Sequence, residues 1–258
     1  KEFDMMDAYS FDADEDGLDK SYDLMLNAYK TAFKECGITT VVVDADSGAI
    51  GGKDSKEFVL MSESGEDTVV LCTDCEYAAN DEKASFKKDM IPMPAEAASL
   101  NEIHTPGIKT IPKLTEFLNI PPEQTMKIVL YMADENLTFA VTRGDLDINE
   151  VKLKNTLKAT YLRIAEQKEL ENVDIFPGFA SPIGYENFTV VVDDSISHGS
   201  NYVGGANKID HHLENINYPR DFKADFEADI SVAKEGYSCP QCEGRLITRR
   251  GIELGHIF

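Results

Sequence analysis

The stretch Lys127-Ile128-Val129-Leu130-Tyr131-Met132, followed by Thr138-Phe139-Ala140-Val141-Thr142, decides the fold of the middle of the chain. These short runs of β-branched, apolar and aromatic residues, separated by polar residues, predict two strands. The surrounding periodicity predicts helices around Ile111 to Leu118 and from Asn149 to Leu157. Because strands and helices are interspersed, the middle of the chain is predicted to be an α+β unit.

The first part of the chain has a different pattern. Apolar residues at spacings of three and four predict one long helix, from about Asp16 to Cys36. Short β-branched segments around a glycine-rich turn then predict strands at Thr39 to Val43, Glu57 to Met61 and Asp67 to Cys72. We therefore expect an antiparallel sheet with one long helix here.

Two domain boundaries are predicted from changes in composition. Between Ala84 and Pro106 the residues are mainly Ala, Pro and Met without a clear period, which is typical of a linker. A loop at Gly178 to Gly184 and a strand at Thr189 to Val192 follow, and a second boundary falls near Ile216. The predicted domains are 1–99, 100–215 and 216–258.

Charge limits the classes of partner. The chain of 258 residues has 25 Lys plus Arg and 47 Asp plus Glu, a net charge of −22, which disfavours broad nucleic-acid binding. A local RNA contact could use the basic stretch from Lys152 to Arg163, although a solvated helix face is the more common explanation of such a stretch. We find no apolar run long enough to span a bilayer and expect a soluble, cytoplasmic protein.

Four of the five cysteines form two Cys-x-x-Cys pairs, Cys72 with Cys75 and Cys239 with Cys242. Two such pairs supply the four thiolates of a tetrahedral zinc site, so we expect structural Zn²⁺. A disulfide and reduced free thiols remain alternatives. The fifth, Cys36, is expected to be a small buried apolar residue.

Several separated segments resemble one known family. They are Phe3-Asp4-Met5-Met6-Asp7-Ala8-Tyr9-Ser10-Phe11, Asp46-Ser47-Gly48-Ala49-Ile50-Gly51-Gly52, Tyr77-Ala78-Ala79-Asn80 and Arg250-Gly251-Ile252-Glu253-Leu254-Gly255-His256-Ile257-Phe258. In order and spacing they are similar to bacterial-type prolyl-tRNA synthetases, class II enzymes whose core is interrupted by an editing insertion. The resemblance implies an α+β chain in which an editing domain, a mixed sheet with surrounding helices, is flanked by a partial class II antiparallel-sheet core.

The resemblance also implies what this chain should lack. Class II motif 1, the first half of motif 2 and the motif 3 arginine lie outside it, and amino-acid activation needs cationic groups around the ATP phosphates. We therefore expect no aminoacylation by this chain. ATP, Mg²⁺, proline and alanine are expected as ligands of the full-length enzyme, which is expected to be a homodimer.

The middle of the chain resembles the editing insertion, which is related to freestanding aminoacyl-tRNA deacylases. The resemblance implies an editing pocket that contains Lys127, the loop from Gly178 to Pro182, and His212. We expect its catalytic residues to be Lys127, Gly178, Pro182 and His212. Its other markers include Arg143 and Asn207, which we expect to bind substrate.

Each of these residues also has a simpler explanation. Lys127 could be an edge-strand lysine, and the loop from Gly178 to Pro182 could be an ordinary turn. His212 is expected either to shape the amino-acid pocket or to lie in an exposed turn. Asp193 is expected either to pair with the substrate ammonium or to cap a strand.

The expected reaction is hydrolysis of alanyl-tRNA(Pro), with the acceptor end of tRNA(Pro) as partner. Alanine is smaller than proline, so a synthetase pocket cannot exclude it sterically, and a second, smaller pocket solves this problem. An aminoacyl ester is already activated and needs mainly a placed water and donors for the developing oxyanion. The alternative is a non-catalytic module that binds the tRNA acceptor end.

Overall fold

The structure is a computed structural model that describes residues 3–52, 54–89 and 96–258. Within it the chain divides into two compact units. We call Lys1–Lys87 together with Ala233–Phe258 the discontinuous unit, and Lys88–Val232 the inserted unit. One unit is thus inserted, in sequence, between two segments of the other.

The described residues of the first segment of the discontinuous unit form one long helix and five strands. Helix α1 is capped by the Asp14 carboxylate, which accepts a hydrogen bond of 2.8 Å from the Gly17 N–H. In chain order the elements are β1 (Met6–Ala8), α1 (Glu15–Glu35), β2 (Val41–Asp44), β3 (Lys56–Met61), β4 (Asp67–Cys72) and β5 (Ala78–Asn80).

The inserted unit has three helices and eight strands among the described residues. The Asn149 side chain caps α3 by accepting hydrogen bonds from the N–H groups of Val151 and Lys152. In chain order the elements are β6 (Asn101–His104), α2 (Ile111–Leu118), β7 (Met126–Ala133), β8 (Asn136–Arg143), α3 (Glu150–Leu157), β9 (Leu162–Ile164), α4 (Gln167–Glu171), β10 (Thr189–Asp193), β11 (Tyr202–Gly205), β12 (His211–Ile216) and β13 (Phe226–Ala228).

The chain returns to the discontinuous unit in one long strand, β14 (Leu246–Ile257). The first half of β14 pairs with β4 and the second half with β3, both antiparallel. Because β3 also pairs with β2, β2 with β5, and β5 with β4, the strands form a closed circuit, to which β1 adds at the edge. A closed sheet of this kind has few free edges.

The sheet of the discontinuous unit is mostly, but not purely, antiparallel. The β1–β14 and β2–β5 pairs are parallel. The expected antiparallel sheet with one long helix is therefore corrected to a mixed sheet with one long helix. The buried face of α1 explains its length: Tyr29 and Phe33 pack against Phe58 of β3, with ring centroids 5.3 and 5.5 Å apart.

The inserted unit contains two sheets. A mixed five-stranded sheet has the order β13-β10-β8-β7-β9, and an antiparallel three-stranded sheet has the order β11-β12-β6. Both faces of central strand β8 are buried, since Phe139 and Val141 pack in one apolar cluster and Ala140 in another. This explains why β8 is a continuous apolar run rather than an alternating one.

The sequence predicts the main elements well. Helix α2 has the predicted bounds, β7 and β8 each contain their predicted segment, and the α+β class is confirmed. Part of the predicted linker, residues 90–95, lies outside the described residues. Its later part is not a linker, because Asn101–His104 forms β6 and pairs with β12.

The inserted unit is wider than the predicted domain of residues 100–215. At its amino end, Lys88 lies 2.6 Å from the Asp229 carboxylate, near the other end of the unit. Strand β13 pairs in parallel with β10, which places residues after the predicted boundary inside the sheet. These contacts join residues far apart in sequence, so composition does not reveal them. No helix among the described residues has the length and apolar character needed to cross a membrane.

Candidate functional site

A pocket of about 190 Å³ lies in the inserted unit beside the start of β7. Its wall is formed by β7, the start of α2, the loop between α4 and β10, and strands β11 and β12. Lining residues from these segments include Lys127, Lys109, Gly178, Ala180, Gly205 and His212. Three of the four residues predicted as catalytic, which are 51 and 34 positions apart in sequence, therefore line the same pocket.

Lys127 is held in place at this pocket. Its ammonium donates one hydrogen bond to the Leu146 carbonyl oxygen and a second, of 2.7 Å, to the Asp147 carboxylate. The side chain is 26% exposed, so the ammonium remains accessible from solvent. Since an ammonium has three N–H donors, these two bonds leave one for a ligand.

The loop that contains Gly178 has a backbone suited to donate hydrogen bonds. Gly178 has a φ of +87°, and a Cβ there would also lie 2.8 Å from the Lys109 Cβ, so the position requires glycine. Among the described residues, the N–H groups of Gly178 and Ala180 have no hydrogen-bond partner. Both residues line the pocket, and unpaired N–H groups at a pocket wall can bind an anionic oxygen.

Asn207 holds the same loop in place through hydrogen bonds to its backbone. Its side-chain oxygen accepts a hydrogen bond of 2.7 Å from the Ser181 N–H, and its amide donates one of 2.8 Å to the Ile183 carbonyl. Its own N–H donates to the Phe179 carbonyl at 2.8 Å. The predicted substrate-binding residue Asn207 thus holds the loop, and it does not line the pocket.

His212 forms a neutral polar part of the wall. The ring is only 4% exposed, and burial lowers its pKa from 6.5 to about 4. Its Nδ1 lies 2.6 Å from the Thr105 hydroxyl, and the ring meets Phe179 edge to face with centroids 5.5 Å apart. A neutral, fixed imidazole can orient a polar ligand, but with this pKa it is a weak base near pH 7.

Lys109 is a pocket residue that the sequence analysis missed. It is exposed, lines the pocket, and has its ammonium 6.0 Å from the centroid of the Phe179 ring. A lysine just before a helix has no distinctive sequence signal. The pocket therefore has two cationic side chains, Lys109 and Lys127, in a chain of strongly negative charge.

Three other predicted residues lie outside this pocket. Pro182 lines a different pocket, of about 650 Å³, near Tyr185. The guanidinium of Arg143 bonds the Asp145 carboxylate at 2.6 and 2.9 Å and the Asp89 carbonyl at 3.0 Å, so it fixes neighbouring loops. The structure therefore places Pro182 at a different pocket and Arg143 in contacts with neighbouring loops.

Asp193 is also placed differently from the prediction. Its carboxylate is fully buried and accepts hydrogen bonds from the N–H groups of Ser195 and Ile230 and from the Ser231 hydroxyl. The Lys88 ammonium lies 3.8 Å away. Asp193, the last residue of β10, therefore belongs to a buried ion network and lies outside the lining of the pocket.

Two of the cations in the basic stretch from Lys152 to Arg163 have acidic partners. The Lys152 ammonium bonds the Asp229 carboxylate at 2.8 Å and the Ser231 carbonyl at 2.9 Å. Arg163 pairs with Glu169 at 2.6 Å. With these two charges paired, the stretch does not present a continuous cationic surface for RNA.

The four paired cysteines meet in the discontinuous unit. The Cys72 and Cys242 sulfurs lie 3.4 Å apart, the Cys75 and Cys239 sulfurs 3.7 Å apart, and all four within 4.8 Å of one another. By contrast, Cys36 is exposed rather than buried as expected. It is the residue that caps the carboxyl end of α1.

Comparison with known proteins finds a family match that includes most of the pocket residues. Residues 105–221 match the family described as aminoacyl-tRNA editing domain. Over its whole length the chain is 54% identical to a proline–tRNA ligase of Dehalococcoides mccartyi and 45% identical to one of Syntrophus aciditrophicus, and covers 45% of each. It is 42% identical to a proline–tRNA ligase of Halothermothrix orenii, of which it covers 46%.

The chain thus spans about half the length of the curated relatives that it matches. The matched segment lies within the inserted unit and includes Lys127, Gly178 and His212. Residues 105–221 therefore match the aminoacyl-tRNA editing domain family, within a chain that is similar throughout to part of proline–tRNA ligases.

Proposed function

We propose that the inserted unit hydrolyses the ester bond of mischarged tRNA, with alanyl-tRNA(Pro) as substrate. The observation that supports this most directly is the pocket that brings Lys127, the Gly178–Ala180 backbone and His212 together. The match of residues 105–221 to the editing domain family supports the same class of substrate.

Ester hydrolysis places modest demands on such a pocket. The ester carbonyl is already activated, so water must be positioned and negative charge on the carbonyl oxygen stabilised. The unpaired N–H groups of Gly178 and Ala180 are suited to that oxygen. Loss of one oxyanion donor typically lowers kcat by about 10²–10³, so these backbone groups would supply much of the rate enhancement.

Lys127 would bind the tRNA end rather than the reacting ester. Asp147 and the Leu146 carbonyl fix its ammonium, and the third N–H can meet a phosphate oxygen of the terminal nucleotide. Fixing the ammonium in advance reduces the conformational entropy lost on binding. In a chain of charge −22, which repels tRNA, a local cation should have a large effect on positioning.

His212 would orient the bound water or the amino end of the substrate. Its pKa of about 4 keeps it neutral at pH 7, so it does not repel the substrate ammonium. The hydrogen bond to the Thr105 hydroxyl holds the ring in place. The ring in turn packs edge to face against Phe179, which lies in the loop between Gly178 and Ala180. With so low a pKa, a positioning role is a better fit than general-base catalysis.

The dimensions of the pocket support a small amino acid. Its wall contains Gly178, Ala180, Gly204 and Gly205, with the main chain close to the cavity, and the cavity measures about 190 Å³. Discrimination by size alone is worth about 1–3 kcal/mol for each methylene in a tight pocket. Proline exceeds alanine by two methylenes, so a pocket fitted to alanine should reject proline.

Single-turnover hydrolysis by the full chain tests this proposal. We expect release of alanine from alanyl-tRNA(Pro), with prolyl-tRNA(Pro) spared. Lys127→Met should lower the rate at least tenfold, which is a loss of about 1.4 kcal/mol in transition-state stabilisation. Lys168→Ala is the control, because Lys168 is an exposed lysine on α4 that does not line the pocket.

Two outcomes would contradict the proposal. A change of less than about twofold in Lys127→Met, with an unchanged circular dichroism spectrum, would refute the role of Lys127, since exposed surface substitutions stay within about 0.5 kcal/mol. Binding of the tRNA acceptor end by a wild-type chain that hydrolyses neither ester would instead support a non-catalytic binding module.

A further inference from the structure

The cysteine cluster of the discontinuous unit has no part in the editing chemistry proposed above. Cys72 ends β4 and Cys75 follows it, whereas Cys239 and Cys242 precede β14. The two loops come from chain segments on either side of the inserted unit, yet their four sulfurs lie within 4.8 Å of one another. Four thiols this close together indicate either disulfide bonds or a shared metal ion.

The sulfur distances fit a metal better than disulfides. A disulfide requires sulfurs about 2.05 Å apart. A tetrahedral ion with Zn–S bonds of about 2.3 Å separates its sulfurs by roughly 3.8 Å. The observed distances of 3.4 Å for Cys72 to Cys242 and 3.7 Å for Cys75 to Cys239 are close to that edge length.

Backbone N–H groups are arranged to support negative sulfurs. The Asp74 N–H donates to the Cys72 sulfur at 3.3 Å, Gln241 N–H to Cys239 at 3.4 Å, and Gly244 N–H to Cys242 at 3.3 Å. Such outer hydrogen bonds orient metal ligands and stabilise their charge.

Gly244 shows that the two loops must also fit closely. A Cβ at this position would lie 2.7 Å from the Cys72 sulfur and 2.9 Å from the Asp74 Cβ. Any larger residue would push one cysteine loop away from the other. The backbone of each loop is thus shaped for the approach of the other.

We propose that Cys72, Cys75, Cys239 and Cys242 bind one Zn²⁺ as a closed, structural site. Four thiolates fill a tetrahedral shell and leave no position for water or substrate, which excludes a catalytic role for the ion. All-sulfur tetrahedral ligation selects zinc or iron among the common metals. Iron is therefore the competing occupant that the test must separate from zinc.

The metal would cross-link β4 and β14, the strand pair that closes the sheet. Cys72 pairs with Leu246 in the β4–β14 ladder, and next to it the Thr73 N–H donates to the Arg245 carbonyl at 2.9 Å. The ion would cross-link this point between segments more than 160 residues apart in sequence. A cross-link over so long a loop restricts the unfolded chain strongly, so metal binding should be coupled to folding of this unit.

Metal analysis of the full chain, purified under reducing conditions without chelator, tests the proposal. We expect about one zinc per chain and little iron. Cys239→Ser should lose most of the zinc, because Cys239 is fully buried within the cluster. Cys36→Ser is the matched control, since Cys36 is an exposed cysteine of the same unit outside the cluster, and it should retain the zinc.

Wild-type protein gives a second measurement if Cys239→Ser fails to fold. Replacement of zinc by Co²⁺ should give the visible spectrum of a tetrahedral site with thiolate charge-transfer bands, and Zn²⁺ should displace it. A chelator should lower the melting temperature of wild type and Cys36→Ser equally. Absence of metal after incubation of the reduced chain with Zn²⁺, iron in place of zinc, or an octahedral Co²⁺ spectrum would overturn the proposal.

Discussion

Acidification should destabilise the inserted unit through His212. Burial holds the pKa of this imidazole at about 4, against 6.5 when it is exposed. The contribution of the neutral His212 imidazole to the free energy of unfolding is therefore complete above pH 6.5. It is lost as the pH falls towards 4. Across that window the loss amounts to about 3 kcal/mol, and at pH 5 it is about 2 kcal/mol. Since the ring is 4% exposed, solvent screens this effect very little.

Urea denaturation at about pH 7.5 and about pH 5 measures the effect. Many carboxylates also titrate in this range, so the relevant quantity is the difference between wild type and His212→Gln. We expect wild type to lose about 2 kcal/mol more than the variant over this interval. His211→Gln is the control, because the adjacent His211 is partly exposed and lies 3.6 Å from Glu102, outside the pocket wall.

A proton NMR titration gives the same pKa directly. The His212 ring resonance, identified by its loss in His212→Gln, should not shift above about pH 5. An apparent pKa near 6.5, or equal pH dependence of stability in wild type and His212→Gln, would refute the buried neutral imidazole. It would also remove the reason for preferring a positioning role over general-base catalysis.

Two further substitutions test the packing of the inserted unit. Gly205→Ala should slow deacylation and destabilise the unit by about 1–3 kcal/mol, because a Cβ there would lie 2.2 Å from the Ala180 carbonyl oxygen. The hydrolysis assay measures the rate, and thermal unfolding measures the stability. An unchanged rate would contradict the close approach of Gly205 to Ala180. Lys88→Ala should cost about 3–5 kcal/mol in urea denaturation, because its 2% exposed side chain lies among three carboxylates. Lys87→Ala, which removes a 59% exposed lysine, should change stability by less than about 0.5 kcal/mol, and equal losses in both variants would contradict the buried network.

Local patterns explain which elements the sequence predicts. The apolar period of three and four in α1 and the compact apolar runs of β7 and β8 are each contained in one short segment. Strand β14 has no such signal, because it includes Arg249, Arg250, Gly251 and Glu253 and pairs with strands that lie far earlier in the chain. Its existence depends on those partners rather than on local propensity.

In the candidate site, too, local sequence patterns identify some residues and tertiary contacts determine the others. Lys127, Gly178 and His212 could be selected because they belong to a family pattern, and the four cysteines because of their spacing. The pocket wall at Lys109 and the hydrogen bond of Thr105 to His212 depend on tertiary contacts alone. The sequence also does not show that Lys88 lies beside Asp193 or that Asp145 pairs with Arg143.

The position of β14 after the inserted unit has a consequence for the order of events during synthesis. The ribosome releases β1 to β5 first, but their sheet cannot close until β14 emerges, after Lys88 to Val232 has been made. At about 5–20 residues per second, that delay is on the order of ten seconds, whereas a domain can fold much faster. The inserted unit can therefore fold while the strands that precede it still have exposed edges, and those edges are where premature pairing between nascent chains would start.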